Sequence, residues 1–219
     1  MRWRDAGTAL VDLVLPADCA GCGRPEHPWC AGCAARLGGP RTPAARVGPE
    51  LLAAGRYTGP LRAALLRYKE RGRRDLAGPL AAVLAGPLAE LAPPGRGAVW
   101  LLPVPSRRAA ARARGGDHVL RLCRTLSAQR CDVRVAQSLT LDRGVRDSVG
   151  LDAAQRAANL AGRVLVRGAR LPPPGDRVVI VDDVVTTGAT LRTCCSAATA
   201  AGVAVDAAVV LCDATGPLR

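Results

Sequence analysis

VVIVDDVVTTGATL, residues Val178–Leu191, decides how this chain folds. Val178 to Val181 are four consecutive apolar, β-branched residues, the pattern of a strand buried on both faces of a parallel sheet. Asp182 and Asp183 follow at once. Thr186-Thr187-Gly188-Ala189-Thr190 then leads into a helical stretch expected over Leu191 to Ala201. A strand that ends in a hydroxyl- and glycine-bearing loop at a helix N-terminus is a phosphate cradle. Its free amides point outward, the helix dipole favours an anion, and threonine hydroxyls add donors. No Gly-Lys-Ser/Thr is present, so the loop is not a Walker A loop. Two adjacent carboxylates can accept hydrogen bonds from the vicinal hydroxyls of a ribose, while the loop holds that sugar's 5′-phosphate.

Working outward, the 219-residue chain has room for one α/β domain and a small appendage. Apolar residues make up 49% of it, yet phenylalanine is absent and aromatics are 2%, so the core must be built from Leu, Val and Ala. The same scarcity argues against a nucleic-acid platform of stacked aromatic rings. No apolar run reaches membrane-spanning length, and Asp5 and Asp12 interrupt any signal-peptide core in MRWRDAGTALVDLVLP. A cytoplasmic location is expected, where nine cysteines mean thiols or metal rather than disulfides.

The net charge of +13 is unevenly spread. Residues 41–175 carry 24 basic against nine acidic residues, whereas residues 176–219 carry three against five. A positive field of this kind suits a polyanionic small substrate or nucleic acid, and part of it is a solvated arginine-rich surface.

Upstream, residues 2–15 have the spacing of a short amphipathic helix. Cys19-x2-Cys22 and Cys30-x2-Cys33 follow, seven residues apart. Each pair sets two thiolates on one tight turn, and together they offer the four ligands of a structural Zn²⁺. A redox pair and two disulfides are the alternatives, with His27 a substitute ligand. A metal is useful to a module too short to bury a core of its own. The Gly- and Pro-rich residues after it read as a linker over 41–50.

A helix is expected over Leu61 to Lys69, ending on the only lysine of the chain. Another is expected between Arg73 and Leu91, with limits blurred by Pro79 and Pro87. Val99 to Leu102 reads as a strand ending in Pro103-Val104-Pro105-Ser106-Arg107-Arg108. An arginine just beyond a strand's carboxyl end is where α/β sheets contact ligands. Arg112, Arg114, Gly115 and Gly116 suggest a loop able to close on an anion before a helix from His118 to Ser127. His118 itself reads as a structural residue at that helix's start. Val133–Val135 and Val164–Val166 read as strands, Ser138 to Val149 as a polar connection and Asp152 to Ala161 as a helix. Val203 to Leu211 reads as the last strand, followed by a loose tail. Cys123, Cys131, Cys194, Cys195 and Cys212 sit among apolar neighbours and read as small core residues.

The stretch at Val178–Leu191 resembles the phosphoribosyl pyrophosphate (PRPP) motif of type I phosphoribosyltransferases. Taken with both cysteine pairs, Tyr57-x-Gly59, Lys69, Pro103-Val104-Pro105, Arg114-Gly115 and Arg156-x2-Asn159, the chain resembles the ComF family collinearly from about Leu13 to Cys212. Two positions depart from that pattern, Ser148 ahead of Gly150-Leu151 and Val164 in place of an aromatic; both bear on substrate specificity.

The resemblance implies an α/β domain of type I phosphoribosyltransferase architecture over 51–213, with a central parallel sheet and a zinc-ribbon-like module over 1–40. It implies Mg²⁺-dependent transfer of a phosphoribosyl group in the setting of DNA uptake. Asp182 and Asp183 would orient the ribose hydroxyls, with Mg²⁺ bound mainly through pyrophosphate oxygens. Thr186, Thr187, Gly188, Ala189 and Thr190 would hold the 5′-phosphate, and Lys69, Arg107 and Arg114 the pyrophosphate. The implied partners are PRPP, single-stranded DNA and a competence helicase. The other function open to such a chain is a non-catalytic, PRPP-sensing, DNA-binding factor.

Overall fold

The computed structural model describes residues 18–91, 97–142, 164–168 and 171–216, the side chain of Arg108 excepted. The helices expected over 2–15 and 152–161, with Gln155, Arg156 and Asn159, lie outside the described residues, as do Ser148, Gly150 and Leu151.

Strands β1 (Glu50–Arg56), β2 (Val99–Pro103), β3 (Val133–Val135), β6 (Arg177–Val185) and β7 (Ala207–Asp213) form one parallel sheet in the order β1-β7-β6-β2-β3. The fold is therefore the expected α/β class. Two further short strands, β4 (Leu139–Leu141) and β5 (Val164–Val166), pair antiparallel as a separate ribbon. The first of these falls in the Ser138–Val149 stretch expected as a polar connection. Its Leu-Thr-Leu alternation is only three residues long, too short to register as a period.

Strand β6 lies in the middle of the sheet and explains the apolar run. Val179 and Val181 enter a core shared with helices α2 (Gly59–Glu70), α3 (Ala77–Leu91) and α5 (His118–Gln129). Val178 and Ile180 enter the opposite core, against helix α6 (Ala189–Ala200). Successive side chains of a strand point to opposite faces, so a strand covered on both sides has to be apolar throughout. The strand continues beyond the expected Val181 and carries both aspartates. The largest fully buried side chains are leucines and Ile180, as the absence of phenylalanine requires.

Helix α3 holds both of its prolines. Pro79 is its third residue, where the amide would have no intrahelical acceptor in any case. Pro87 is interior and buried, so its ring is covered by the core while one helical hydrogen bond is forgone. Of the five cysteines expected in the core, Cys123, Cys194, Cys195 and Cys212 are buried and Cys131 is exposed. Cys131 lies on the turn entering β3, where apolar neighbours in sequence are not neighbours in space. The last strand starts at Ala207 rather than Val203.

Residues 41–50 are tied to the sheet. Arg41 exchanges both backbone hydrogen bonds with Ala53, at 2.9 and 2.8 Å, and so covers the outer edge of β1. Its guanidinium Nε donates to Asp213 at the end of β7, 2.9 Å away. Among the described residues, no helix is long and apolar enough to cross a membrane.

Candidate active site at the carboxyl ends of β2 and β6

The chain leaves β2 towards β3 on one side and leaves β6 towards β7 on the other. Adjacent strands whose connections depart in opposite directions leave a crevice at their carboxyl ends, the usual ligand site of an open parallel sheet. Here it is bordered by Asp182, Asp183 and the Thr186–Thr190 loop from β6, and by Pro103 to Arg107 from β2.

Thr186 and Thr187 are exposed, and Ala189 and Thr190 half-buried, at the start of α6. The amides of Thr186, Thr187, Gly188 and Thr190 make no hydrogen bond among the described residues, whereas Ala189 donates to Thr187 Oγ1 at 3.4 Å. Gly188 is the N-cap, with φ +76°, a left-handed conformation that disfavours any side chain. A Cβ there would also meet Val47 Cγ1 at 2.9 Å and Ala45 Cβ at 3.2 Å. The 41–50 segment thus backs the loop, leaving its threonines facing outward. Arg192 fastens the two together, donating to Arg46 O at 2.7 Å and Thr187 O at 2.9 Å.

The two aspartates differ in surroundings. Asp183 is buried, and its Oδ2 accepts from Lys69 Nζ at 2.6 Å and His118 Nε2 at 2.7 Å. Burial alone would push its carboxyl up; the hydrogen bond from His118 and the charge of Lys69 overcome this and hold it well below the usual range. Asp182 is half-buried, and its Oδ1 accepts the Asp183 amide at 2.8 Å. Burial, then the negative charge of Asp183, push its carboxyl well above the usual range. One member of the pair is held ionised, and the other resists a second negative charge beside it.

Three elements bring these groups together. Helix α2 delivers Lys69 on its last turn, and Tyr68 beside it donates to His118 O at 3.0 Å, joining α2 to α5. Arg114 NH1 reaches His118 Nδ1 at 2.8 Å. Of the expected pyrophosphate ligands, Lys69 and Arg114 are therefore engaged with the Asp183–His118 pair. Arg107 stands apart as the N-cap of the short helix α4 (Arg108–Ala113), half-buried at the end of β2. His118 is the member of the site that the sequence reading left outside it. Its signal was faint: one histidine after Arg114-Gly115-Gly116-Asp117, with a partner 65 residues away.

Beside Ser106 and Asp117 lies a cavity of about 230 Å³, reaching Thr140 of the β4–β5 ribbon and Gln137 and Arg167 next to it.

The four expected cysteines do converge. Their Sγ atoms all lie within 4.8 Å of one another, with Cys19–Cys33 and Cys22–Cys30 both 3.7 Å apart. A tetrahedron of sulfurs at about 2.3 Å from a Zn²⁺ has edges of about 3.8 Å, whereas a disulfide needs about 2.05 Å. The cluster can thus hold zinc, and the disulfide alternative does not fit. Burial would raise the Cys19 thiol, but amide donors, that of Cys30 first, lower it to about 6, while burial and the hydrogen bond to Cys19 push Cys33 up, so Cys19 carries the negative charge of that pair. The module, which holds the short helix α1 (Ala31–Ala35), docks on α2. Ala20 joins the main core, and Arg67 NH1 donates to Cys19 O at 3.2 Å, two residues before Lys69.

No family model matches the chain, and no curated protein matches it. Among solved structures it is similar to hypoxanthine phosphoribosyltransferases. A Trypanosoma cruzi enzyme mutant in a ternary substrates complex is 20% identical, with 69% of this chain and 74% of that one covered, at a TM-score of 0.37. A second T. cruzi structure, concerned with the C-terminal region in oligomeric state and activity, is 19% identical over 69% and 71%, at 0.36. A glutamic acid mutant at an invariant aspartate of these enzymes is 20% identical over 69% and 74%, at 0.37.

Proposed function

We propose that this chain is a PRPP-binding phosphoribosyltransferase-like protein of the ComF type, with DNA uptake as its biological setting. The observation that carries the reading is one continuous stretch at the sheet's switch point: an acid pair on β6, then a helix N-terminal loop with unspent amides and outward threonines. In this reading the Thr186–Thr190 loop takes the 5′-phosphate and the acids take the ribose hydroxyls. Arg107 is placed to take the pyrophosphate, with Lys69 and Arg114 lending their charge from their places on Asp183 and His118, and the cavity beside Ser106 is the space for an acceptor.

Breaking the C1′–oxygen bond develops positive charge on the sugar and negative charge on the leaving pyrophosphate. Catalysis is then positioning plus charge stabilisation. Asp182 and Asp183 hold the ring from the hydroxyl side, and the cationic side chains neutralise the leaving group. Among the described residues, the cysteines are the only group of three or more metal-binding side chains close enough to share an ion. In this reading Mg²⁺ would be held mainly by pyrophosphate oxygens, with the acid pair beside it directly or through water, and would supply neutralisation of the leaving group. The four-cysteine cluster is read as a structural Zn²⁺ site.

The test is pyrophosphate release from PRPP and Mg²⁺ across a panel of bases and amines, together with thermal stabilisation by PRPP. Activity abolished by Asp183→Asn supports the enzyme; no release and no stabilisation refutes it. One observation favours the second reading, a DNA-binding PRPP sensor. Arg36 and Arg56, with Arg41 paired to Asp213, line a cavity of about 250 Å³ beside the cysteine module. Single-stranded DNA affinity that falls with salt and survives Asp183→Asn would establish it.

A further inference from the structure

We propose that His118 is a positioning residue for Asp183: a neutral imidazole, protonated on Nε2, that pins Asp183 Oδ2 together with Lys69 and leaves Oδ1 to face the ligand. The role in binding rests on the PRPP reading; the state of the ring does not.

The hydrogen bonds dictate the tautomer. A guanidinium has donors and no acceptor, so Arg114 NH1, 2.8 Å from His118 Nδ1, requires a lone pair there. The ring's proton must then sit on Nε2, which is the atom 2.7 Å from the Asp183 carboxylate. A doubly protonated ring would set two donors against each other at Nδ1. His118 is only 5% exposed, so water cannot take over either contact.

The surroundings fix the ring. Asp117 caps α5, accepting from Leu120 N at 3.1 Å through Oδ1 and from Ser106 N at 2.9 Å through Oδ2. One carboxylate therefore anchors both the helix that starts with His118 and the loop leaving β2. Tyr68 holds the His118 carbonyl and packs its ring edge-on, with centroids 6.4 Å apart. Ser106 Oγ lies 3.5 Å from Nδ1. The charged and titratable groups facing the ring are Arg114, Asp183 with its partner Lys69, Tyr68 and Asp117.

The consequence is a division of labour within one carboxylate. Both donors meet at Oδ2, and no nitrogen donor reaches Oδ1 among the described residues. Two donors on one oxygen hold the carboxylate in place and leave Oδ1 without a basic partner.

Glutamine at 118 separates this role from others. Its amide oxygen can accept from Arg114 and its amide nitrogen can donate to Asp183, but it carries no titrating proton. We expect His118→Gln to bind PRPP within about threefold of the native chain and His118→Leu to lose about ten- to a hundredfold. Inorganic phosphate, which needs only the Thr186–Thr190 loop, should bind both variants equally; a general folding defect would weaken it too. A glutamine variant as impaired as the leucine variant overturns the positioning role. Independently, ¹⁵N spectra of the native imidazoles at pH 7.5 should show pyridine-type Nδ1 and protonated Nε2 for His118, told apart from His27 by His27→Gln. The opposite tautomer or a doubly protonated ring refutes the assignment. Failure of the native chain to bind PRPP refutes the PRPP reading and the ligand-facing role of Oδ1, while the spectra still decide the ring's state.

Discussion

Lys69 Nζ and Asp183 Oδ2 lie 2.6 Å apart, the chain's one lysine on the buried member of its acid pair. A compact ammonium reaches a single oxygen that His118 already shares, where a planar guanidinium would crowd the imidazole. The pair joins the last turn of α2 to β6, so the site's charge balance depends on how α2 is seated.

Replacing that ammonium should cost stability in a pH-dependent way. Lys69→Met is expected to lower unfolding free energy by about 2 kcal/mol at pH 7, the value of a charge-assisted hydrogen bond in a largely buried setting. The Asp183 carboxyl is held below its unfolded value, so this stabilisation is full above the unfolded carboxylate pKa of about 3.9 and fades as pH falls below it. Urea titrations at pH 7 and pH 3 measure the gap. An equal loss at both values would mean that the ion pair is not the cause.

Asp182 should behave in the opposite sense. Its carboxyl is raised, so the folded chain holds its proton more tightly than the unfolded chain, and stability declines as pH rises above the ordinary carboxylate range. Asp182→Asn is therefore expected to stabilise the ligand-free protein at pH 7 by about 1 kcal/mol while weakening PRPP binding. Differential scanning calorimetry and PRPP titration of the same sample give both numbers. A destabilised variant would show that Asp182 is not under electrostatic strain.

Gly188→Ala tests the loop's backbone. A left-handed alanine costs about 1–2 kcal/mol, and its Cβ must displace Val47 or Ala45 from contacts of 2.9 and 3.2 Å. We expect a lower melting temperature together with loss of inorganic phosphate binding. Phosphate affinity unchanged in a folded variant would remove the loop from the anion site.

Metal removal tests the link from the cysteine module to the site. One Zn²⁺ per chain should be released by a thiol-modifying reagent in the presence of a chromogenic chelator. Stripping it should lower the melting temperature by roughly 5 °C or more and weaken PRPP binding, because Cys19 O anchors Arg67 two residues before Lys69. Cys22→Ser should reproduce both effects in weaker form. A chain that carries no zinc yet melts normally would leave the cluster without a structural role.

The parallel α/β fold was readable because its signals are local. Val178–Val181 is apolar without alternation, which only a doubly covered strand requires, and Thr186–Thr190 has the composition of a helix entry. The cysteine pairs were legible for the same reason: ligand spacing within a knuckle is a property of a few consecutive residues. The β4 strand was missed because three residues give no period, and Cys131 was misplaced because burial depends on neighbours in space.

By itself the sequence determined which chemical groups are present, where the buried strand and its loop begin, and that four thiols come in two turns. Tertiary structure alone decided that Lys69 and His118 converge on one oxygen of Asp183 with Arg114 behind the imidazole, that residues 41–50 back the loop at Gly188, and that the two aspartates differ in surroundings. The contacts that decide these relations are long-range, 65 positions apart in His118–Asp183 and 146 in Arg192–Arg46. Such pairings follow from strand order and helix docking, which no local pattern of residues encodes.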